Sequence, residues 1–379
     1  MIPYGRHQLD EEDIEAVVEI LRNGPITQGE TVEQFGQRLA ETTGAKYGSA
    51  VANGTAALHL SVAALGIGPG DEVITTPNSF LATSNSILYV GATPVFVDIE
   101  LDQFGIDTSK IESAITEKTK AIIPVHFAGF PVNLDTIHQL SKKYNLKVIE
   151  DSCHALGASY KNTKIGSSSY SDCSTFSFHP VKHIATGEGG MITTNSSDVY
   201  QKLLMLRTHG VTKDSDQLTQ NPGPWYYEMQ TLGFNYRMTD IQAALGCTQL
   251  KKLAGFVKRR REIAKQYDEA FSDCNWIHPI KEQGHYESSY HLYVVQIDFE
   301  RIGKTRADVM NELKEKGVGT QVHYIPIVDQ PYYKEHVNVT GNFNNCRTYY
   351  KQALSLPIYP LLDDGDVETV IKALKSILI

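Results

Sequence analysis

Cysteine, tryptophan and long apolar runs are all scarce in this sequence of 379 residues. Its five cysteines are an odd number and form no CxxC pair, which argues against a disulfide framework and against a zinc or iron–sulfur site. No apolar run approaches the roughly 20 residues of a membrane helix, and Met1 to Arg6 is not an apolar signal segment. We therefore expect a soluble protein of the reducing cytoplasm, with no metal and no membrane contact.

Positive charge is also in short supply. The formal charge is −9 at pH 7, whereas a nucleic-acid surface needs clustered lysine and arginine, so we expect no nucleic-acid partner. The one basic block, Lys258 to Arg261, lies in a helical pattern and is interpreted as a solvated helix face. With 41% apolar and 21% charged residues, the composition is otherwise that of an ordinary globular protein.

What the sequence does contain is a regular alternation of strand and helix patterns. After an N-terminal arm over residues 1–12, strand candidates are separated mostly by helical stretches. The candidates lie at residues 48–52, 72–75, 93–98, 121–125, 147–150, 173–178 and 190–194. This alternation predicts an α/β fold, with a mostly parallel central sheet and helices on both faces, in a large domain over residues 13–249.

The last third of the chain departs from that alternation. Its pattern predicts the following elements: a long charged helix from about Leu250, a strand over 290–297, a helix over 307–316, a strand over 320–323 and a final helix from about Asp366. We interpret this part as a smaller C-terminal α+β domain over residues 250–379. Two domains leave a cleft between them.

Open sheets bind ligands at the carboxyl ends of their strands, and the first candidate site lies there. Residues 49–58 run from a strand into an apolar helix. The amides of Gly54, Thr55 and Ala56 are therefore expected at a helix N-terminus, which suits a phosphate. The alternative is an ordinary strand-to-helix connection capped by Asn53 or Thr55.

Two further segments supply ionisable side chains at strand ends. Asp151 follows an apolar strand, where a buried carboxylate needs a cationic partner such as a pyridinium nitrogen; a helix cap or a structural ion pair is the alternative. Residues 174–190 bring Ser177 and then Lys182 past a proline-restricted turn, before a glycine-rich reversal. Most lysines are solvated surface charges, but a partly desolvated one has a lowered pKa and becomes a nucleophile for a carbonyl.

Together these segments resemble the DegT/DnrJ/EryC1/StrS family of sugar aminotransferases, over nearly the whole chain. The resemblance is carried by residues 53–58, 150–155, 177–182 with 187–190, and 233–238. It implies the fold-type I architecture of aminotransferases that depend on pyridoxal 5′-phosphate. It also implies a homodimer with active sites at the subunit interface.

The resemblance assigns roles to individual residues. Lys182 would form the Schiff base with the cofactor, Asp151 would pair with the ring nitrogen and Phe80 would stack on the ring. His154 stands where many relatives have glutamine, and it would contact the ring hydroxyl. Asn235 would reach the phosphate from the other subunit. Gly54, Thr55 and Ser177 would hold the phosphate. With Ala56 added from the helix N-terminus, the candidate cofactor-binding set is Gly54, Thr55, Ala56, Phe80, Asp151, His154, Ser177, Lys182 and Asn235.

Within the family, the resemblance is greatest to members that aminate C4 of a UDP-linked 4-keto-6-deoxy-N-acetylhexosamine with L-glutamate as donor, in pseudaminic acid biosynthesis. It is carried by residues 2–6, 223–228, 322–326 and 330–333, whose aromatic and hydroxyl groups suit sugar and uracil faces. The candidate substrate-binding residues are Tyr4, Arg237, His323 and Tyr324. For each tyrosine, packing with a satisfied hydroxyl is the alternative.

Other functions stay open on the sequence alone. A sugar dehydratase of similar sequence would carry histidine in place of Lys182. A non-catalytic regulator that binds pyridoxal phosphate would tolerate alanine at Lys182, Asp151 and Asn235. An aminotransferase for free amino acids would need an arginine for a second carboxylate, and Arg237 is a candidate for anionic groups. The sugar nucleotide could also be GDP- or dTDP-linked.

Overall fold

The computed structural model describes residues 1–378 with the exception of 283 and 285. The strands are β1 Tyr47–Val51, β2 Glu72–Thr75, β3 Thr93–Phe96, β4 Thr119–Ile122, β5 Lys147–Asp151, β6 Ser159–Tyr160, β7 Thr163–Lys164, β8 Cys173–Ser177, β9 Gly190–Thr194, β10 Val211–Thr212, β11 Glu228–Met229, β12 Ile277–Pro279, β13 Tyr286–Glu287, β14 Tyr293–Ile297 and β15 Ala353–Leu356. The helices are α1 Glu11–Asn23, α2 Glu30–Thr43, α3 Gly54–Ala64, α4 Ala82–Tyr89, α5 Thr108–Ile111, α6 Leu134–Tyr144, α7 Ser197–Leu206, α8 Asp240–Phe271, α9 Arg306–Glu315, α10 Pro331–His336, α11 Asn344–Gln352 and α12 Asp364–Leu378.

Seven strands form the central sheet, in the order β1-β9-β8-β5-β4-β2-β3. β5 is parallel to β8 and β4, and β2 is parallel to β4 and β3. β9 runs antiparallel to its neighbours β1 and β8. All seven strand candidates from the sequence lie in this sheet, so the prediction of a mostly parallel sheet is confirmed.

Helices cover both faces of the sheet, as predicted. Successive side chains of a strand point to opposite faces, and here they enter different clusters of buried residues. In β8, Cys173 packs with residues of α3 and α7, whereas Phe176 packs with residues of α2 and α8. In β5, Ile149 belongs to the cluster around α3, and Val148 to the cluster around α6.

Helix α2 approaches strand β1 so closely that both elements need glycine at the contact. A Cβ atom on Gly36 would lie 2.3 Å from the carbonyl oxygen of Gly48, and a Cβ atom on Gly48 would lie 2.2 Å from the carbonyl oxygen of Gly36. These distances are far below van der Waals contact, so a side chain at either position would push the helix off the sheet.

The predicted charged helix begins earlier than expected. α8 has 32 residues and begins at Asp240, not near Leu250. Thr239 and Gln242 form a capping box in which each side chain accepts the other residue's backbone N–H, and this defines the start of the helix. The predicted boundaries at 12/13 and 249/250 thus fall inside α1 and α8. Among the described residues, no helix is long and apolar enough to cross a membrane.

The interpretation of the basic block as a solvated face is wrong for Arg260. Its side chain is buried, and its Nη1 donates to the carbonyl oxygens of Tyr290, His291 and Ile358 at 3.2, 3.1 and 2.8 Å. Burial lowers the pKa of Arg260 to about 10. Lys258, two residues away, remains on the surface.

Beyond the middle of α8, the chain forms a three-stranded antiparallel sheet, β12-β14-β15, with helices packed on it. β14, α9 and α12 lie close to the predicted positions. The predicted strand at 320–323 is wrong, because in that fully described stretch only Gln321 forms an isolated bridge, to Ser355. The third strand is β15, a four-residue segment that the sequence pattern did not reveal.

The N-terminal arm lies against this second part of the chain. Ile2 donates its N–H to the carbonyl of Gly317 at 2.7 Å and accepts the N–H of Gly319 at 2.8 Å. The N–H of Ile358 donates to the carbonyl of Tyr4 at 3.2 Å. The arm thereby holds Tyr4 beside His323, with ring centroids 5.7 Å apart.

Candidate active site

A cavity of about 630 Å³ lies at the carboxyl ends of β5 and β8. The predicted residues that line it are Tyr4, Gly54, Thr55, Phe80, Asp151, His154, Ser177, Lys182, His323 and Tyr324. The structure thus brings together side chains from both halves of the chain. A second cavity of about 620 Å³ lies along α8, and none of the predicted site residues lines it.

One end of the cavity is the N-terminus of α3. Gly54 and Thr55 are the first residues of this helix, where α-helices leave backbone N–H groups without intrahelical partners. A Cβ atom on Gly54 would lie 2.8 Å from Cβ of Ser177, so glycine lets the helix end approach that serine. These two amides and the Ser177 hydroxyl suit a phosphate.

Ala56 does not belong to this cradle. Its N–H donates to Oδ1 of the N-cap residue Asn53 at 2.8 Å, and Ala56 does not line the cavity. The helix cap, proposed from the sequence as the alternative to a phosphate site, is therefore present as well. Asn53 caps the helix, while Gly54 and Thr55 face the cavity.

Lys182 lies half-buried in the cavity wall, at the end of the tight turn that the sequence predicted. Its N–H closes that turn by donating to the carbonyl of His179 at 2.8 Å. Burial lowers the pKa of the Lys182 ammonium, although Cys153 and Asp151 act in the opposite direction. A lowered pKa increases the fraction of neutral amine, which is the nucleophilic form.

Asp151, the last residue of β5, is a buried carboxylate at the cavity wall. Its Oδ2 accepts the hydroxyl proton of Thr83 at 2.6 Å, and its Oδ1 accepts the N–H of Cys153 at 3.2 Å. Within the described part of the chain, no lysine, arginine or histidine nitrogen lies within 4.0 Å of this carboxylate. A buried carboxylate without a cation at its side suits a ligand with a cationic N–H.

His154 and Tyr324 form a polar pair in the same wall. Nδ1 of His154 accepts the N–H of Ala128 at 3.3 Å, so in the neutral ring Nε2 carries the proton. Nε2 lies 3.2 Å from the Tyr324 hydroxyl and donates to it. Burial holds the pKa of His154 well below its ordinary value and raises the pKa of Tyr324. The Tyr324 hydroxyl therefore keeps its own proton for a ligand.

Aromatic rings form the mouth of the cavity. Phe80 is 58% exposed, and its ring centroid lies 6.1 Å from that of Tyr324. A phenylalanine this exposed at a cavity rim offers a flat apolar face to a ligand ring. Behind the mouth, His323 shares a hydrogen bond with the Ser355 hydroxyl at 2.8 Å, and burial lowers the pKa of His323 to about 3.

Asn235 and Arg237 lie outside this cavity. Asn235 is exposed, and its strand-like segment forms a bridge to Thr208. Arg237 lines a separate pocket of about 200 Å³ together with Arg207. The substrate role predicted for Arg237 thus has no support within a single chain.

Several residues of the wall were not singled out in the sequence. They include Ser79, Thr83, Cys153, Glu188 and His291. A usable signal existed for Ser79 and Thr83, because they lie close to Phe80 in sequence, in the turn after β2 and at the start of α4. No local pattern marked His291, which reaches the cavity from the second part of the chain.

The wall fits the polar groups of pyridoxal phosphate. A carboxylate without a cation suits the ring nitrogen, a partly neutral lysine amine suits the carbonyl, and a helix N-terminus beside Ser177 suits the phosphate. Placed at the strand ends of a mostly parallel sheet, this set defines a pyridoxal-phosphate-dependent enzyme.

The chain belongs to the DegT/DnrJ/EryC1/StrS aminotransferase family, which matches residues 7–375. It is 42% identical over 380 residues to the spore coat polysaccharide biosynthesis protein SpsC of Bacillus subtilis, and the match covers 99% of this chain and 97% of the relative.

The structure is similar to that of Spr1654, a putative sugar aminotransferase from Streptococcus pneumoniae, in its PMP-form. The TM-score is 0.91 and the identity 34%, and the match covers 100% of this chain and 99% of that one. Helicobacter pylori PseC, an aminotransferase involved in pseudoaminic acid biosynthesis, gives the same four values. The predicted fold, cofactor and enzyme class are confirmed: the protein is a pyridoxal-phosphate-dependent sugar aminotransferase.

Proposed function

We propose that the protein transfers the amino group of L-glutamate to a nucleotide-linked 4-keto-6-deoxy sugar, with UDP-4-keto-6-deoxy-N-acetyl-L-altrosamine as the proposed acceptor. The product would serve pseudaminic acid or a related surface glycan. The observation that carries this proposal is the shared cavity of Lys182, Asp151 and the α3 N-terminus. The stated roles of PseC and SpsC in the biosynthesis of pseudoaminic acid and of a spore coat polysaccharide support the glycan assignment.

Each residue of the cavity wall has a separate role in the proposed reaction. Bound pyridoxal phosphate supplies an electrophilic carbonyl carbon and an electron sink. Lys182 would be the amine that holds this carbon, and the same Nζ, once released, would take the proton from the donor's Cα and deliver it to that cofactor carbon. Asp151 orients the ring through its nitrogen, and Gly54, Thr55 and Ser177 anchor the phosphate. The Tyr324 hydroxyl, which accepts from His154, donates its own proton to the ligand.

The residues at the mouth of the cavity favour a sugar nucleotide as the acceptor. Tyr4, Phe80 and Tyr324 give this mouth flat faces, and the two tyrosines add hydroxyl groups. Such faces suit pyranose and nucleobase rings. A GDP- or dTDP-linked keto sugar is the alternative acceptor.

The first experiment is a visible absorption spectrum of the purified protein before and after addition of L-glutamate. We expect a visible band from the lysine-bound cofactor that disappears with glutamate and returns with the keto sugar. The Lys182→Ala variant should show neither change. A panel of UDP-, GDP- and dTDP-linked keto sugars then ranks the acceptors by the rate at which the band returns. If no band forms even with added pyridoxal phosphate, the assignment of Lys182 fails.

The active enzyme is proposed to be a homodimer in which Asn235 reaches the partner's phosphate site. Support comes from the exposure of Asn235 and from apolar side chains near it in sequence, since Leu232 is 76% and Met229 60% exposed. Exposed apolar side chains of this size are typical of interfaces. The free state of all five cysteines agrees with the predicted cytoplasmic location, which stays a prediction.

Mixing two inactive variants tests shared sites directly. Lys182→Ala and Asn235→Ala are each expected to be inactive as homodimers. A mixed dimer would contain one site with both lesions and one site with neither, so up to half of the wild-type activity per mixed dimer should return. No recovery, despite exchange of subunits shown by native mass spectrometry, would mean that each chain completes its own site.

A further inference from the structure

Two side-chain hydroxyl groups form a hydrogen-bonded chain that ends on the carboxylate of Asp151. Thr83 Oγ1 lies 2.6 Å from Oδ2 of Asp151, and Ser79 Oγ lies 2.7 Å from Thr83 Oγ1. All three residues are buried, with Thr83 1% exposed, and all three line the cavity. Thr83 and Asp151 are 68 positions apart in sequence, so folding alone brings this hydroxyl to the carboxylate.

The direction of these hydrogen bonds follows from the number of protons available. The Thr83 hydroxyl has one proton, and it donates that proton to Asp151. The contact between Ser79 and Thr83 therefore requires Ser79 to be the donor. Hydrogen bonds in such a chain polarise one another, so a bond that ends on a carboxylate is strengthened by the bond behind it.

The three side chains reach the cavity from two strand ends. Ser79, Phe80 and Thr83 lie in the turn and first helical residues that follow β2, whereas Asp151 ends β5. The backbone N–H of Thr83 donates to the backbone carbonyl of Phe80 at 3.3 Å. Thr83 is therefore bonded to the residue that is expected to stack on the cofactor. One short segment thus carries both Phe80 and the hydroxyl that contacts Asp151.

We infer that Thr83, supported by Ser79, is a positioning residue that fixes the Asp151 carboxylate for the ring nitrogen of the cofactor. The inference rests on the proposed role of Asp151. With the Cys153 N–H on Oδ1 and the Thr83 hydroxyl on Oδ2, both carboxylate oxygens are held by donors and the carboxylate plane cannot turn freely. Each oxygen keeps a further lone pair that can accept the proton of the ring nitrogen. Without Thr83 one oxygen loses its donor, and the carboxylate is oriented only in part.

The test compares Thr83→Val, which removes the hydroxyl and nearly keeps the shape, with Thr83→Ser, which keeps the hydroxyl. The main readout is the dissociation constant of pyridoxal phosphate, titrated into the apo-protein. Thr83→Val should weaken binding by on the order of tenfold or more, as expected for a hydrogen bond to a charged group. Thr83→Ser should stay within about threefold of wild type, and Ser79→Ala should fall between the two.

The matched control is Thr43→Val. Thr43 is also a buried threonine in a helix, but its hydroxyl donates to the carbonyl of Leu39 within α2. This variant should bind the cofactor like wild type. The melting temperature of each apo-protein is measured in parallel, and Thr83→Val is expected to change it no more than Thr43→Val does. If Thr83 had only a structural role, Thr83→Val would instead lower the melting temperature of the apo-protein and leave the dissociation constant of pyridoxal phosphate unchanged.

A double-mutant cycle with Asp151→Asn separates failure of this inference from failure of the proposed role of Asp151. If Asp151→Asn alone leaves cofactor affinity unchanged, the role of Asp151 is wrong, and the positioning role of Thr83 falls with it. If Asp151→Asn weakens binding and Thr83→Val does not, only the inference about Thr83 is overturned. The expected result is that both weaken binding and that Thr83→Val adds little in the Asp151→Asn background, because the two residues act as one unit.

Discussion

A single buried arginine shows how much one residue's surroundings can differ from those of its neighbours in sequence. Arg260 lies in a basic block, yet its guanidinium is enclosed and bonds three backbone carbonyls from two separate segments. No local pattern distinguishes it from Lys258, which stays on the surface. The distinction arises from which face of α8 meets the second half of the chain, and this depends on tertiary packing.

Replacing Arg260 should therefore destabilise the protein far more than replacing its exposed neighbour. Arg260→Met would leave the carbonyls of Tyr290, His291 and Ile358 buried without a donor. We expect a loss of about 3 kcal/mol or more in the free energy of unfolding, measured with urea, because each buried group left unsatisfied costs about 1–3 kcal/mol. Lys258→Met, the matched control, should change it by less than about 0.5 kcal/mol. Equal effects of the two variants would mean that the guanidinium bonds contribute nothing.

The site could be predicted where its residues belong to short local segments. Gly54 begins a helix just after a strand, Ser177 ends a strand and Lys182 follows in a proline-containing turn, and these features are visible in sequence. His291 was missed because its place in the wall depends on distant packing. Ala56 was placed wrongly for the opposite reason, since the local cap formed by Asn53 takes its amide.

At the scale of elements, the contact between α2 and β1 offers a direct test of close packing. Gly36→Ala would force the helix away from the strand, because its Cβ would lie 2.3 Å from a backbone oxygen that cannot move aside. We expect a loss of about 3 kcal/mol in unfolding free energy and a lower Tm, in the range known for overpacked contacts.

Gly255, in α8, is the matched control for that substitution. It is also a helical glycine, but no atom lies within 4 Å of the position where its Cβ would be. Gly255→Ala should raise stability by about 0.5–1 kcal/mol, because alanine loses less conformational entropy in a helix. A stabilising Gly36→Ala would show that the helix can shift at no cost.

Element prediction succeeded for the central sheet and failed in the second part for physical reasons. Parallel strands buried on both faces form continuous apolar runs, and these were found at nearly their observed positions. β15 is only four residues long and follows directly on α11, so no separate pattern marks it. The segment at 320–323 has strand-like residues, but it leaves the sheet after one bridge and carries His323 to the cavity. The early start of α8 was readable from the Thr239 and Gln242 capping box and was overlooked.

At the scale of the whole molecule, histidines buried at the junction of the two halves should make stability depend on pH. Burial lowers the pKa of His323 from 6.5 to about 3 and holds the pKa values of His154, His183 and His291 well below the ordinary value. At these four histidines, the unfolded chain therefore binds more protons than the folded chain below pH 6.5. Stability contributed by the neutral rings is fully present above that pH and is lost as the pH falls toward 3.

For His323 alone, the loss between pH 7 and pH 5 should be about 2 kcal/mol. Urea unfolding at the two pH values measures it. The His323→Gln variant should lose correspondingly less on acidification, whereas His278→Gln, at an exposed position in β12, should lose as much as wild type. A wild-type unfolding free energy that stays constant between these pH values would contradict the neutral state of the buried rings.

Helix α8 limits how the two halves of the chain can move when substrate enters the cavity and product leaves it. It is roughly 48 Å long at the usual rise per residue. In its first third, Gln249 accepts the N–H of Ala185 at 3.4 Å, and near its C-terminal end the Tyr267 hydroxyl donates to the carbonyl of Pro357 at 2.9 Å. A continuous helix bonded to both halves of the chain resists rotation of one half relative to the other. Substrate should therefore enter through an opening of fixed width, bounded by the rings of Phe80 and Tyr324.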